Sequence, residues 1–364
     1  MTLNTIPLVF LFIFSSCYEI KMDMAKKATV PGYSVKGIVT TFAGDYNNSG
    51  SVDGPYGVNR WELGIGGIAV KKSTGEIFVC DSYNRVIRKI SANGNVETVV
   101  GSVGVIGSAD GQGTSASFGF ITDIAFDSQE NIFVVDYVQR NIRKIDTDYN
   151  VTTFAGTAGV DGYEDNSGLL AKFHLPYGIA IDSNDMVYIA DKNAVIRKIT
   201  PAGVVSTLAG TNGVHGRLDG LGLAAQFLNP SKIAIDKDLN LYVSDGAIIR
   251  KITQSGLVTT YAGAINGDDG STNGHRLTQA LFNNISGLVF GLDGALYITE
   301  QDNPTVRKIG TDGIVSTIAG LQGFTGNVDG LGTEARFDFN NAIGIDQNGF
   351  LFISEDQGVI RKVK

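Results

Sequence analysis

The chain is poor in the residues that cross-link small proteins or hold metals, with two cysteines and three histidines in 364 residues. Two cysteines cannot form a disulfide framework. A domain of this length buries roughly 75% of its unfolded surface, so its core can hold it without one. Charged residues stand at 18% against roughly 25% in ordinary domains, which disfavours helices with ion-paired faces. Basic residues are outnumbered, 29 Lys and Arg against 37 Asp and Glu, for a formal charge of −8. A field of that sign repels phosphates and argues against a nucleic-acid partner. The apolar run at 6–16, IPLVFLFIFSS, falls short of the ~20 residues needed to span a bilayer. There is no Gly-rich phosphate loop, Ser-His-Asp set, cysteine cluster or HxxH pair, so nucleophilic, phosphoryl and motif-encoded metal chemistry lack support.

Glycine, in contrast, is abundant, at 47 residues. It punctuates a repeat: IVTTFAG (38–44), VETVVG (96–101), VTTFAG (151–156), VVSTLAG (204–210), LVTTYAG (257–263) and IVSTIAG (314–320). A second marker keeps the same beat of 53 to 57 residues: VIRKI (86–90), NIRKI (141–145), VIRKI (195–199), IIRKI (248–252), VRKI (306–309) and VIRKVK (359–364). One unit shows the grammar. FHLPYGIAID (173–182), MVYIAD (186–191), VIRKI (195–199) and VVSTLAG (204–210) are short β-branched or aromatic runs separated by Asp, Asn, Pro and Gly turns. That pattern reads as a four-stranded antiparallel meander. Such a unit cannot cover both its faces alone, whereas six arranged radially can, which predicts an all-β, six-bladed β-propeller of four-stranded antiparallel blades.

The pattern GIA[IV]D…[ILV]YVAD…N…IRKI…G.V.T.AG resembles the NHL repeat over nearly all of 38–364. NHL-like propellers serve recognition more often than catalysis, so the resemblance implies a binding module. The strand order predicts how the ring closes. IVTTFAG (38–44) is a fourth strand with no first three before it, and AIGID (342–346), FLFISE (350–355) and VIRKVK (359–364) lack a fourth after them. The N-terminal strand should therefore join the last blade as its outer strand, removing an open edge.

The segment before the repeats reads as an address. FSSC (14–17) resembles a bacterial lipobox, which implies a signal peptide over 1–17, lipid attachment at Cys17 and a tether over 18–37. Plain secretion is the alternative. Cys80, in IFVCD, takes a position held by Val, Ala, Ser or Thr in the other repeats, so it reads as a buried small side chain.

Residues repeated in every blade are poor candidates for a unique site. The six arginines Arg88, Arg143, Arg197, Arg250, Arg307 and Arg361 and the acids Asp81, Asp136, Asp191, Asp245, Glu300 and Glu355 suggest a shared structural bond. The long connections before each first strand share Asp-Gly turns at Asp53, Asp110, Asp161, Asp219, Asp269 and Asp329 and an aromatic plug such as Phe118 or Phe173. Their acids exceed their bases, which predicts a negative face. Trp61, Tyr83, Tyr137, Tyr163 and Tyr177 fall in or beside these loops and could hold a sugar ring or a peptide. His174, His215 and His275 lie in three successive loops, and propeller enzymes can use such residues to hold a metal. Without a pre-set ligand spacing they read better as separate surface side chains, and no resident metal or cofactor is expected. DKDLN (236–240) resembles the start of a calcium loop but lacks its continuation, which leaves it as a hairpin turn.

Together these residues predict a monomeric propeller at a bacterial cell envelope, lipid-anchored or secreted, touching the membrane through its N-terminal lipid alone. It would recognise a protein, peptide or glycan on its long-loop face. A metal-assisted lyase or lactonase with its site at the channel mouth is the alternative.

Overall fold

The computed structural model describes residues 37–364. The expected signal peptide, Cys17 and nearly all of the tether lie outside the described residues.

Those residues form six antiparallel sheets arranged radially. The first strands of the six blades are Ile65–Val70, Ile121–Phe126, Pro176–Ile181, Pro230–Ile235, Ile285–Phe290 and Asn340–Ile345. Each touches the one before and the one after, and the last touches the first, so they enclose an axial channel. Five of the six second strands, Ile77–Asp81 and Val187–Asp191 among them, are buried at every residue. A neighbouring blade covers each of their faces, so their sequences run apolar without alternation. Outer strands such as Val205–Gly210 mix buried and exposed positions, as a sheet margin facing solvent requires.

The ring closes as the strand order predicts. Ile38–Gly44 pairs antiparallel with Val359–Val363, with Val39 opposite Val363 and Thr41 opposite Arg361. Four sheets gain a fifth, two-residue strand from the long loop: Gly111–Gln112, Gly220–Leu221, Gly274–His275 and Gly330–Leu331. In the other two blades single bridges, Gly54 to Val96 and Ser167 to Val204, sit against the outer strand in the same way. Four of the six blades are thus broader than the four strands expected, and in every blade a loop residue pairs at the start of the outer strand.

Two local devices set the channel geometry. In four blades the turn between first and second strands is an Asx turn: in blade four the Asp236 carboxylate accepts from the amides of Asp238 and Asn240, both at 2.9 Å. DKDLN is therefore hairpin chemistry. Each first strand also carries a bulge at its second residue, as between Ile121 and Asp123 and between Pro176 and Gly178. A bulge re-aims the side chain at the extra residue. The re-aimed residues are Gly66, Thr122, Tyr177, Ser231, Ser286 and Asn341, at the end of the channel where the long loops arrive.

Candidate functional site at the channel mouth

What repeats six times is scaffold. Each third-strand arginine is fully buried and lies over the plug aromatic of its blade, with Arg143 5.2 Å from Phe118 and Arg250 5.2 Å from Phe227. Its two terminal nitrogens donate to long-loop carbonyls, as Arg143 does to Ser117 and Ala109. A loop carboxylate completes the set: Asp53, Asp110, Asp219 and Asp329 pair with Arg88, Arg143, Arg250 and Arg361 at 2.7 to 2.9 Å. The same carboxylates accept from an outer-strand threonine, as Asp53 does from Thr98. Blades three and five differ from the Asp-Gly reading. There the arginine partners are Asp165, at 2.6 Å, and the amide oxygen of Asn273, at 3.0 Å, not Asp161 or Asp269. Five of the second-strand acids hold the base of a loop, as Asp191 does by accepting from the amides of His174 and Leu175. Five loop acids are therefore neutralised by buried arginines, and Asp45, Asp161 and Glu164 pair with Arg60, Arg140 and Lys172. The face is less negative than a residue count implies.

Against this background the candidate residues separate. Trp61 is fully buried, donates from its indole nitrogen to Asn59 at 3.1 Å and carries Arg88 4.3 Å from its ring. It is the plug of blade one, where other blades use phenylalanine, and it cannot meet a ligand. Tyr163 is also a staple, with its hydroxyl 2.6 Å from Thr207 Oγ1 on an outer strand and Arg197 4.8 Å from its ring. The histidines do not converge. His174 Nδ1 meets Asp161 at 2.6 Å, His215 Nδ1 meets the Leu228 carbonyl at 2.8 Å, and His275 sits on the two-residue strand at the rim of blade five. The bond to His174 holds the Asp161 carboxyl below its ordinary value. No group of three or more His, Cys, Asp or Glu among the described residues could hold a metal ion.

Tyr83, Tyr137 and Tyr177 remain at the mouth. Tyr83 is exposed and packs edge-on to Phe120 at 5.2 Å, and Tyr137 packs edge-on to Tyr177 at 6.1 Å. Tyr177 brings with it residues that loop inspection overlooks. Lys192 Nζ stands 3.4 Å from the Tyr177 ring centroid, and Lys232 Nζ stands 5.3 Å from the same ring. Lys232 crosses the channel to Asp123 at 3.2 Å and donates to the Thr122 carbonyl at 3.1 Å. Asp123 also accepts from the Ile179 amide at 3.1 Å. Burial pushes the Asp123 carboxyl up from its ordinary value although Lys232 opposes the shift. Burial, reinforced by the Lys232 charge, brings the Lys192 ammonium down to about 8. On the opposite side a chain of amides rings the opening: Asn284 donates to Gln301 at 2.9 Å, Gln301 to Asn341 at 3.1 Å and Asn341 to Asp356 at 3.3 Å.

The signal that could have found these residues is departure from sixfold repetition. The third residue of the first strand is Gly67, Asp123, Gly178, Lys232, Gly287 and Ala342 around the ring. Small residues suit a crowded axis: a methyl on Gly178 would lie 2.0 Å from the Ser231 carbonyl oxygen. Only Asp123 and Lys232 break that rule, and they do so as a pair. Below them the channel is a cavity of about 670 Å³, walled by Ile68, Ile124, Ile179, Ile233, Leu288 and Ile343 and open toward the turns between first and second strands. The ion pair is thus a partition between a polar mouth and an apolar bore. Cys80, buried, free and with its thiol pushed up by burial, is a core side chain as expected.

No family profile matches the chain. Over 214 residues it is 28% identical to Teneurin-3 of Danio rerio, covering 51% of this chain and 8% of that protein. Over 281 residues it is 26% identical to NHL repeat-containing protein 2 of Homo sapiens, covering 66% of this chain and 38% of that protein. The chain thus spans well under half the length of these relatives, and the second agrees with the NHL-like pattern of the repeats. Among solved structures, a Bacteroides thetaiotaomicron protein of unknown function superposes with a TM-score of 0.70 at 21% identity, over 90% of this chain and 75% of that one. An auxiliary nutrient binding protein from Bacteroides ovatus gives 0.68 at 17%, over 91% and 77%. A gluconolactonase from Xanthomonas campestris gives 0.58 at 13%, over 92% and 93%. These likenesses concern the fold.

Proposed function

We propose that the protein is a binding propeller at a bacterial envelope and that it takes its ligand at the channel mouth on the long-loop face. One observation carries this reading: the residues that break the sixfold pattern gather around the mouth at blades two to four, as Asp123, Tyr137, Tyr177, Lys192 and Lys232. Scaffold needs are the same in every blade, so residues unique to a few serve something other than the ring. Two edge-packed tyrosines, an ammonium and an arc of amides present flat apolar surface beside hydrogen-bonding groups, which suits a sugar ring or a peptide segment. Similarity in fold to an auxiliary nutrient binding protein is in keeping with a ligand-binding role.

The envelope address rests on the lipobox-like FSSC ending at Cys17. No helix among the described residues is long and apolar enough to cross a membrane. The metal-assisted alternative draws no support from the histidines, each of which keeps its own partner.

The test is a screen of immobilised glycans and peptides with the wild type and with a Tyr137→Ala, Tyr177→Ala variant of unchanged melting temperature. Signals abolished in the variant support the reading. Signals it retains, or none above background from the wild type, defeat it.

A further inference from the structure

Lys192 stands at the mouth without a carboxylate partner among the described residues. Lys232 has Asp123, and the buried arginines have their loop acids or carbonyls. Lys192 Nζ lies against the Tyr177 ring and meets neither a carboxylate nor a hydrogen-bond acceptor among the described residues. At the corresponding place, immediately after the second-strand acid, the other blades have Ser82, Tyr137, Gly246, Gln301 and Asp356. A cation half-removed from water beside a second ammonium is unfavourable unless an anion completes it.

The neighbouring blade makes room for one. Its turn between second and third strands has two residues, Gly246 and Ala247, where the other turns have three to five. Over that turn lies Arg217, with a terminal nitrogen 3.8 Å from where a methyl on Gly246 would sit. The short turn at Gly246 and Ala247 thus leaves a notch with a guanidinium over it.

We infer that the ligand carries a carboxylate, received by the Lys192 ammonium at this notch, and that its carrier is an acidic saccharide lying over Tyr177 toward the amides of Gln301 and Asn341. The inference rests on the proposed binding role of the mouth and names its ligand class. Amides donate and accept side by side, as sugar hydroxyls require, and tyrosine edges and faces suit a pyranose ring. The groups facing Lys192 are Tyr177 and Lys232, with Asp123 behind Lys232. Asp123 is already engaged, so a carboxylate arriving from outside meets no unpaired acid there.

The experiment is an array of uronate oligosaccharides, each printed beside its carboxyl-reduced neutral counterpart, with peptides bearing free or amidated C-termini on the same surface. It is probed at pH 7 with the full chain as wild type, Lys192→Met and Lys192→Arg, after melting curves establish equal folding. The expected result is uronate binding that falls at least tenfold on carboxyl reduction and in Lys192→Met, and falls less in Lys192→Arg. It should also fade as pH rises through about 8. Equal binding of neutral counterparts overturns the carboxylate assignment while leaving the mouth as a binding site. Binding of free-carboxyl peptides without uronates overturns the saccharide assignment and keeps the carboxylate. Uronate binding unchanged in Lys192→Met, or absent altogether, overturns the inference outright.

Discussion

Val39 stands opposite Val363 in an antiparallel ladder, so the first described strand and the last share one sheet although 324 positions separate them. Both are fully buried. The ring is therefore held shut by backbone hydrogen bonds between the two ends of the described chain, and the other five blades depend on that closure for their neighbours.

Removing residues 38–44 should cost the ring its cooperative melting transition. The lost ladder bonds contribute about 1 kcal/mol each, and burying Val39 and Ala43 adds roughly 2–3 kcal/mol. Differential scanning calorimetry checks this. A truncated chain that melts as the full one does would refute closure through this strand.

Trp61 should report on the core and be silent toward ligand. Trp61→Ala should destabilise by about 3–5 kcal/mol through the cavity it leaves, whereas Trp61→Phe restores the plug used in the other blades and should cost about 1–2 kcal/mol. Denaturant melts measure both. Emission of this single tryptophan should be blue-shifted and should not move when a ligand saturates the mouth.

In blade three the loop acid that matters is Asp165. Asp165→Ala leaves the buried Arg197 without its carboxylate and should cost about 1–2 kcal/mol, discounted from the ~3–5 of a fully buried pair because Asp165 is half exposed. Asp161→Ala, which touches only His174 and Arg140 at the surface, should change the melt far less. A reversed order would mean that the arginine lock is not what holds the loop.

Gly178→Ala should loosen the seam between blades three and four, because its methyl would meet the Ser231 backbone carbonyl at 2.0 Å. Overpacking of this kind costs roughly 1–3 kcal/mol, read as a lower melting temperature. Gly349→Ala, with nothing within 4 Å but a φ of +80°, should cost about 1 kcal/mol through backbone strain alone.

Lys192 should be the most amine-reactive lysine near neutral pH. Its folded value of about 8 lies below the ordinary 10.5, so between those values the unfolded chain binds more protons and stability rises with pH. The part of the slope that Lys192 supplies should be lost in Lys192→Met. Reductive methylation at pH 8 followed by peptide mass spectrometry should modify Lys192 ahead of Lys237 and Lys308, whose carboxylate neighbours hold them above their ordinary value. Equal labelling of the three would contradict the burial described for Lys192.

The repeat by itself determined the blade count, the four-strand grammar and the closure by 38–44, because hydrophobic periodicity and turn residues are local and recur six times. It also marked the arginines and second-strand acids as structural, since a residue copied into every blade answers a need every blade shares. What only the tertiary structure decided was which unrepeated side chains meet. Asp123 and Lys232 are 109 positions apart and pair across the axis, Lys192 reaches Tyr177 from a separate turn, and Trp61 turns inward while Tyr83 stays out. Side-chain direction at a bulge, and the depth at which a loop residue comes to rest, follow from how neighbouring blades press together, and no stretch of one blade encodes that pressure.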